Sequence, residues 1–327
     1  MSGKRLLCLS LGGTITMVPS AEGGIAPKLG AAELVASVPD LAKVAAVEAD
    51  SPARLPSPSL TPGHLVDVAQ RIEAAFANGA DGAVVIQGTD TIEESAFLLD
   101  LLVAGDRPVV VTGAMRGAAA AGAEGPANLL AAARVAASEA ARGLGTLAVL
   151  NDEIHAARFV QKSHTALPSA FTSPMAGPLG IVAEDRVRIF TRVERHAGLP
   201  AQDGPPRPVA LLTWAMGDDG RLLDALPGLG YAGAVIAGMG AGHVPADAAD
   251  AVGALATRMP VVLASRCATG PAVTETYGYP GGEIDLIRRG VLPGGMLSAP
   301  KARLLLGLAL RGGGGHGAAA AAFAAYR

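Results

Sequence analysis

Cysteine and aromatic side chains are scarce in this chain: 327 residues hold two cysteines, one tryptophan and an aromatic fraction of 3%. Cys8 and Cys267 stand far apart without metal-ligand spacing, which argues against a disulfide framework or a zinc site and fits a reducing compartment. Positive charge is not in excess either. Lys and Arg total 26 against 29 Asp and Glu, a formal net charge of −3, and no basic stretch is interleaved with aromatics, so a nucleic-acid partner is not expected. No apolar run is long enough to span a membrane, and no clean cleavage signal follows the strand-length run RLLCLSL near the N-terminus. These absences leave a small molecule as the expected partner and the cytoplasm as the expected location. With 50% hydrophobic residues and few rings, the core has to be built from Ala, Val, Leu and Ile.

Short continuous apolar runs alternate with segments of helical period. The runs are RLLCLSL, GAVVIQ (82–87), PVVVT (108–112), TLAVLN (146–151), PVALLTW (208–214), AGAVIAG (232–238) and PVVLAS (260–265). Runs apolar on both faces belong to parallel strands covered by helices. Thr61-Pro62 supplies a cap and a first-turn proline for the helix HLVDVAQRIEAAFAN, and GPANLLAAARVAASEAAR (125–142) reads as an alanine-rich amphipathic helix. The 43 glycines punctuate these segments; the tail after Arg311 joins four glycines to an alanine run able to close as a helix. Turn-formers in HAGLPAQDGPPRP interrupt the alternation. The expected fold class is therefore α/β in two domains, 1–195 and 209–327, with a linker at 196–208.

In covered parallel sheets, ligands sit beyond the carboxyl ends of the strands. Four sets of residues occupy such places: Gly12, Gly13 and Thr14; Gly88, Thr89, Asp90 and Thr91; Gly113, Ala114, Met115 and Arg116; Asn151 and Asp152. The paired glycines permit either a tight turn or close approach of backbone N–H groups to a ligand. A nucleotide phosphate loop would need a Gly-Lys-Ser/Thr ending, which is missing. Thr91 with Glu94 spells a capping box, which accounts for Thr91 but leaves Thr89 and Asp90 to explain. Asp90 is either an alternative cap or a carboxylate facing the cleft. Lys162, in RFVQKSHT, is a solvated charge unless the fold brings it beside Thr89, where it could relay a hydroxyl proton.

Taken together, LSLGGTI (9–15), IQGTDTIEESAFLLD (86–100), PVVVTGAMR (108–116), GPANLLAA (125–132), VLNDEIHAARFVQKSHT (149–165), GPLG (177–180) and PKARLLLGLAL (300–310) resemble the bacterial-type L-asparaginase/glutaminase family, in the family's order and over nearly the whole chain. The resemblance implies a large N-terminal α/β domain with a mainly parallel covered sheet, carrying the catalytic threonines, and a smaller C-terminal α/β domain. It implies intimate homodimers, often dimers of dimers, with sites at the subunit interface. It also implies an amidohydrolase that takes L-asparagine to L-aspartate and ammonia through a threonine acyl-enzyme, with no cofactor and no metal. Position by position, Thr14 matches the nucleophilic threonine; Thr89, Asp90 and Lys162 match the threonine–aspartate–lysine group; Ser57 matches the serine that binds the substrate α-carboxylate.

Several positions depart from that pattern. The segment 17–30, MVPSAEGGIAPKLG, lacks the tyrosine usual on the loop after the first threonine; the four tyrosines are Tyr231, Tyr277, Tyr279 and Tyr326. Thr16, two residues beyond Thr14, and Tyr277 or Tyr279 from a neighbouring subunit are the candidates to replace it. Pro58 follows the substrate serine where glutamine is common, and His243 stands in GMGAGHV where asparagine is common. Glu275 and Glu283 both qualify as the acid expected from a neighbouring subunit. Alternative activities are a glutaminase or other amide hydrolase, or a ligand-binding protein that has lost turnover on the same scaffold.

Overall fold

The structure, a computed structural model, describes residues 3–19, 25–27, 29–199, 204 and 206–327. Residues 20–24 and 28 of the loop after Thr14, and 200–203 and 205 of the expected linker, lie outside the described residues. The chain forms two compact units, Met1–Gly198 and Leu199–Arg327.

The first unit is built on an eight-stranded sheet, in spatial order Arg186–Ile189, Gly180–Ala183, Glu153–Ala156, Thr146–Leu150, Val109–Thr112, Gly82–Ile86, Arg5–Ser10 and Ala46–Asp50. From Thr146–Leu150 to Ala46–Asp50 the pairing is parallel; the three strands on the other side are antiparallel. Every residue of Gly82–Ile86, Val109–Thr112 and Thr146–Leu150 is buried. Alternation sorts their side chains: Cys8, Val84, Ile86, Val110, Leu147 and Val149 join one apolar cluster with the helix Gly125–Ala136. The helices Pro62–Ala77 and Ile92–Leu102 pack on the same sheet. Burial pushes the Cys8 thiol up to about 12, leaving it an inert core residue.

The second unit carries four parallel strands, Val209–Thr213, Gly233–Gly238, Val261–Ser265 and Leu292–Pro293. Its core joins Trp214, Leu223, Ile236, Leu263 and Leu286 to Val252 and Leu255 of the helix Ala249–Arg258. The alanine tail forms the helix His316–Ala324.

Each apolar run named in the sequence is a strand, and Thr61 caps its helix by accepting from His64 N at 3.3 Å. Two local expectations are corrected. The helix expected over 125–142 ends at Ala136, because the Ser138 hydroxyl accepts from Ala140 N at 3.2 Å and opens a separate 3-10 turn, Glu139–Ala141. Thr91 forms no side-chain cap on Ile92–Leu102; its hydroxyl donates to Ser57 O at 3.3 Å and accepts from Gln87 Nε2 at 3.1 Å.

His155, on the antiparallel strand Glu153–Ala156, is 1% exposed with Nδ1 3.0 Å from Ser173 Oγ, and burial lowers its pKa to about 4. The unfolded chain titrates this ring near 6.5, so between the two values the unfolded state binds more protons. Its contribution to stability is complete above about pH 6.5 and is lost as pH falls toward the folded value. Thermal melts from pH 7 to pH 4 are expected to show a steeper loss for the parent than for His155→Gln; parallel curves would remove this assignment.

Candidate active site

The site begins with glycines that let backbone touch backbone. Gly12 and Gly13 have φ of 105° and 89°. A Cβ on Gly12 would stand 2.6 Å from Leu55 O, and one on Gly13 only 2.0 Å from Gly88 N. A Cβ on Gly88 would in turn stand 2.7 Å from Ser57 Oγ. Three segments, following the adjacent strands Arg5–Ser10, Ala46–Asp50 and Gly82–Ile86, are therefore pressed together beyond the strands' carboxyl ends. Hydrogen bonds continue the sheet into them, from Leu11 N to Ile86 O at 2.8 Å and from Leu55 N to Leu11 O at 2.9 Å.

Thr14 opens a one-turn 3-10 helix, Thr14–Thr16. Ile15 is 3% exposed and packs against Gly125, and Thr16 is fully buried with Oγ1 donating to Gly13 O at 2.7 Å. Thr14 alone in the turn keeps partial exposure. Thr16, a candidate to replace the missing loop tyrosine, does not present its hydroxyl beside that of Thr14. In a 3-10 turn residues two apart diverge, and the Thr16 hydroxyl is already committed to closing the turn.

Beside this turn, Thr89–Thr91 forms a second 3-10 turn ahead of the helix Ile92–Leu102. Lys162 reaches it from the strand Gln161–Lys162, which pairs antiparallel with Phe171–Thr172. Its Nζ donates to Thr89 Oγ1 at 2.9 Å and to Asp90 Oδ1 at 2.5 Å. The lysine side chain is 15% exposed and the Asp90 side chain 58%. Asp90 N donates to Ser57 Oγ at 3.2 Å, and Ser57 Oγ lies 3.4 Å from Asp90 Oδ2. The sequence-derived residues Ser57, Thr89, Asp90 and Lys162 thus form one connected group, and the Gly13–Gly88 contact places the Thr14 turn against it. Asp90, Lys162 and Thr165 line an open concavity with Glu93 and His164.

Three supporting residues escape a reading by motif. Glu93 Oε2 accepts Lys162 N at 2.7 Å, anchoring the lysine's backbone; in the sequence it reads only as first-turn acid on a helix. Glu124 accepts from Met115 N and, at 3.4 Å, from Arg116 N, tying down the segment after Val109–Thr112. Asn128 donates to Gly113 O and accepts from Asn151 N, both at 2.9 Å, joining two strand ends. Asn128 did carry a signal, as a polar residue on the inward face of an alanine-rich helix.

In the second unit, Glu275 is exposed whereas Glu283 is fully buried. Burial raises the Glu283 carboxyl, but bonds from the N–H groups of Tyr277, Glu283 itself and Thr276, and from His243, outweigh it and hold the group below the usual range. Among the described residues no group of three His, Cys, Asp or Glu could hold a metal ion, and no helix is long and apolar enough to cross a membrane.

The chain matches the family described as Asparaginase, N-terminal over residues 5–195 and the Glutaminase/Asparaginase C-terminal domain over residues 208–323. It belongs to the asparaginase family. A probable L-asparaginase of Deinococcus radiodurans is 39% identical over 92% of this chain and 91% of its own length. An L-asparaginase of Bacillus licheniformis is 33% identical over 94% of this chain and 95% of its own. A crystal structure of a probable cytoplasmic L-asparaginase from Campylobacter jejuni superposes with a TM-score of 0.85 at 30% identity, covering 98% of this chain and 99% of that one.

If backbone contact at Gly13 sets the site, Gly13→Ala has to cost more than its φ alone demands. Gly105 has a φ of 80° but open space where a Cβ would point. Gly105→Ala is expected to cost about 1 kcal/mol and Gly13→Ala about 3 kcal/mol or more, measured by denaturant unfolding. Equal losses would show that conformation, not contact, restricts Gly13.

Proposed function

We propose that this member of the asparaginase family, an amide hydrolase, takes L-asparagine to L-aspartate and ammonia through an acyl-enzyme on Thr14. The observation that carries the reading is the Lys162 ammonium, held on both Thr89 Oγ1 and Asp90 Oδ1, on a turn packed against the one that presents Thr14. Thr14 Oγ attacks the carboxamide carbon, and the tetrahedral oxyanion needs preorganised donors, for which the glycine-rich turn and the segment around Thr89 supply backbone N–H groups. Ammonia departs, and water then hydrolyses the β-aspartyl ester. The Thr14 hydroxyl proton ends on the departing amide nitrogen, completing the ammonia, while Lys162, which can only donate when protonated, holds the Thr89 hydroxyl and leaves the Asp90 carboxylate charged.

Recognition rests on pairing both charges of an amino-acid amide as they leave water. Asp90 retains an exposed carboxylate edge for the α-ammonium, and Ser57 with nearby N–H groups faces the α-carboxylate. Pro58, exposed beside Ser57, has neither a side-chain nor a backbone donor, which supports a second reading in which glutamine or another amide is also turned over. Assembly as a homodimer or dimer of dimers in the cytoplasm belongs to the same proposal. Of the two acids considered for a neighbouring site, Glu275 is the free one, since Glu283 is enclosed and paired within its own unit.

Ammonia release from asparagine and glutamine tests the reading. Thr14→Ala is expected to lower kcat by on the order of 10³-fold or more with its melting temperature kept, since the residue lies on a turn and outside the core. Near-normal turnover in that variant would assign the attack to Thr89 or water. Lys162→Met is expected to lower kcat by roughly 10²-fold with a smaller change in KM. Asp90→Asn should weaken asparagine far more than an amide lacking the α-amino group; equal losses would contradict the ammonium pairing.

A further inference from the structure

Ser57 is held by its carbonyl as well as by its hydroxyl, and the hold on the carbonyl starts at a buried amide. Gln87, the residue after the strand Gly82–Ile86, is fully buried. Its Nε2 donates to Gly88 O at 3.2 Å and to Thr91 Oγ1 at 3.1 Å. Gly88 O can only accept, so the amide nitrogen has to face it, and both amide protons are then committed. Thr91 Oγ1 accepts one of them and donates its own single proton to Ser57 O at 3.3 Å. The order of donation is fixed: amide, hydroxyl, carbonyl.

Nothing local demands this chain of bonds. Thr91 stands at the cap position of the helix Ile92–Leu102 and makes no side-chain cap bond there. Ser57 O already accepts from Leu60 N at 3.1 Å, at the end of the 3-10 turn Ser57–Ser59, so Thr91 adds a second donor to a carbonyl that has one. Among the described residues the buried Gln87 Oε1 has no hydrogen-bond partner. A methionine of similar shape would avoid that cost, so the amide is kept for what its donors do. Ser57 Oγ accepts from Asp90 N at 3.2 Å, which leaves the hydroxyl proton free to meet an anion; its other neighbour, Asp90 Oδ2, lies at a long 3.4 Å. The Ser57 residue is 2% exposed, and a Cβ on Gly88 would stand 2.7 Å from its Oγ. A hydroxyl so confined cannot find its angle by swinging. It takes that angle from the backbone that Thr91 pins.

We infer that Thr91, oriented by Gln87, is a positioning residue for Ser57 and sets how tightly the α-carboxylate of an amino-acid amide is held, given the proposed pairing of Ser57 with that carboxylate. Lys162 bonds Thr89 and Asp90 on the same turn and takes no part in the chain from Gln87, so binding and chemistry separate between the two.

L-Aspartate, the product of the proposed hydrolysis, is titrated into the full chain by calorimetry, and asparagine turnover is followed by ammonia release. Thr91→Val keeps the shape and removes the hydroxyl. It is expected to weaken aspartate by about fivefold and to raise the KM for asparagine by a similar factor, with kcat within about twofold of the parent. Thr91→Ser restores both, and Gln87→Met shifts them in the same direction as Thr91→Val. Because Thr91 acts through Ser57, adding Thr91→Val to Ser57→Ala costs less than about a further twofold. A parent chain that does not bind aspartate, or a Ser57→Ala variant that binds it as the parent does, removes the proposed role of Ser57 and the inference with it. A loss in Ser57→Ala with none in Thr91→Val, a Thr91→Val loss that falls on kcat or is not rescued by serine, or full additivity of the two changes overturns the role of Thr91 alone.

Discussion

The contact between the Gly13 and Gly88 backbones is the constraint on which the candidate site depends. Two turns that begin on different strands come within a distance at which no side chain fits, and Ser57 closes the same cluster from a third strand. Everything chemical follows from that compression. Thr14 is carried beside Thr89 because its turn has nowhere else to lie, and Ile15 and Thr16 anchor the turn while leaving the first hydroxyl in the open. Glycine is required there for what it lacks: a positive φ alone would tolerate some other residues at moderate cost, but a backbone in contact with a backbone tolerates none.

The charged group works by orientation more than by strength. With the Asp90 side chain 58% exposed, its pair with Lys162 contributes about 1 kcal/mol to stability at most. Its effect is geometric: the ammonium is divided between a carboxylate and a hydroxyl, and Glu93 fixes the lysine's own backbone. A lysine free to swing would spend most of its time in water; held from both ends, it stays within hydrogen-bond reach of Thr89.

Much of this was legible in the chain because strand-and-turn chemistry is local. Continuous apolar runs marked the buried parallel strands, and the residues just beyond them are those that converge. What stayed hidden depended on partners distant in sequence. The edge strand Ala46–Asp50 has an exposed face and no continuous apolar run, and the antiparallel strands Glu153–Ala156, Gly180–Ala183 and Arg186–Ile189 are too short to stand out. The Thr91 and Glu94 spacing spelled a cap, yet the Thr91 hydroxyl serves Ser57 and Gln87 instead, a choice set by tertiary contact. Glu93 likewise reads as an ordinary first-turn acid until the backbone N–H group it accepts comes into view.

The scarcity of aromatics has an optical consequence. Trp214, the sole indole, is 2% exposed in the core of the second unit, while Thr14, Thr89, Asp90 and Lys162 all belong to the first. Intrinsic tryptophan fluorescence of this chain is therefore a native reporter on the unit without the threonines. Emission and ammonia release followed together through a denaturant series would record the two halves of the chain as separate signals, with no dye or label introduced.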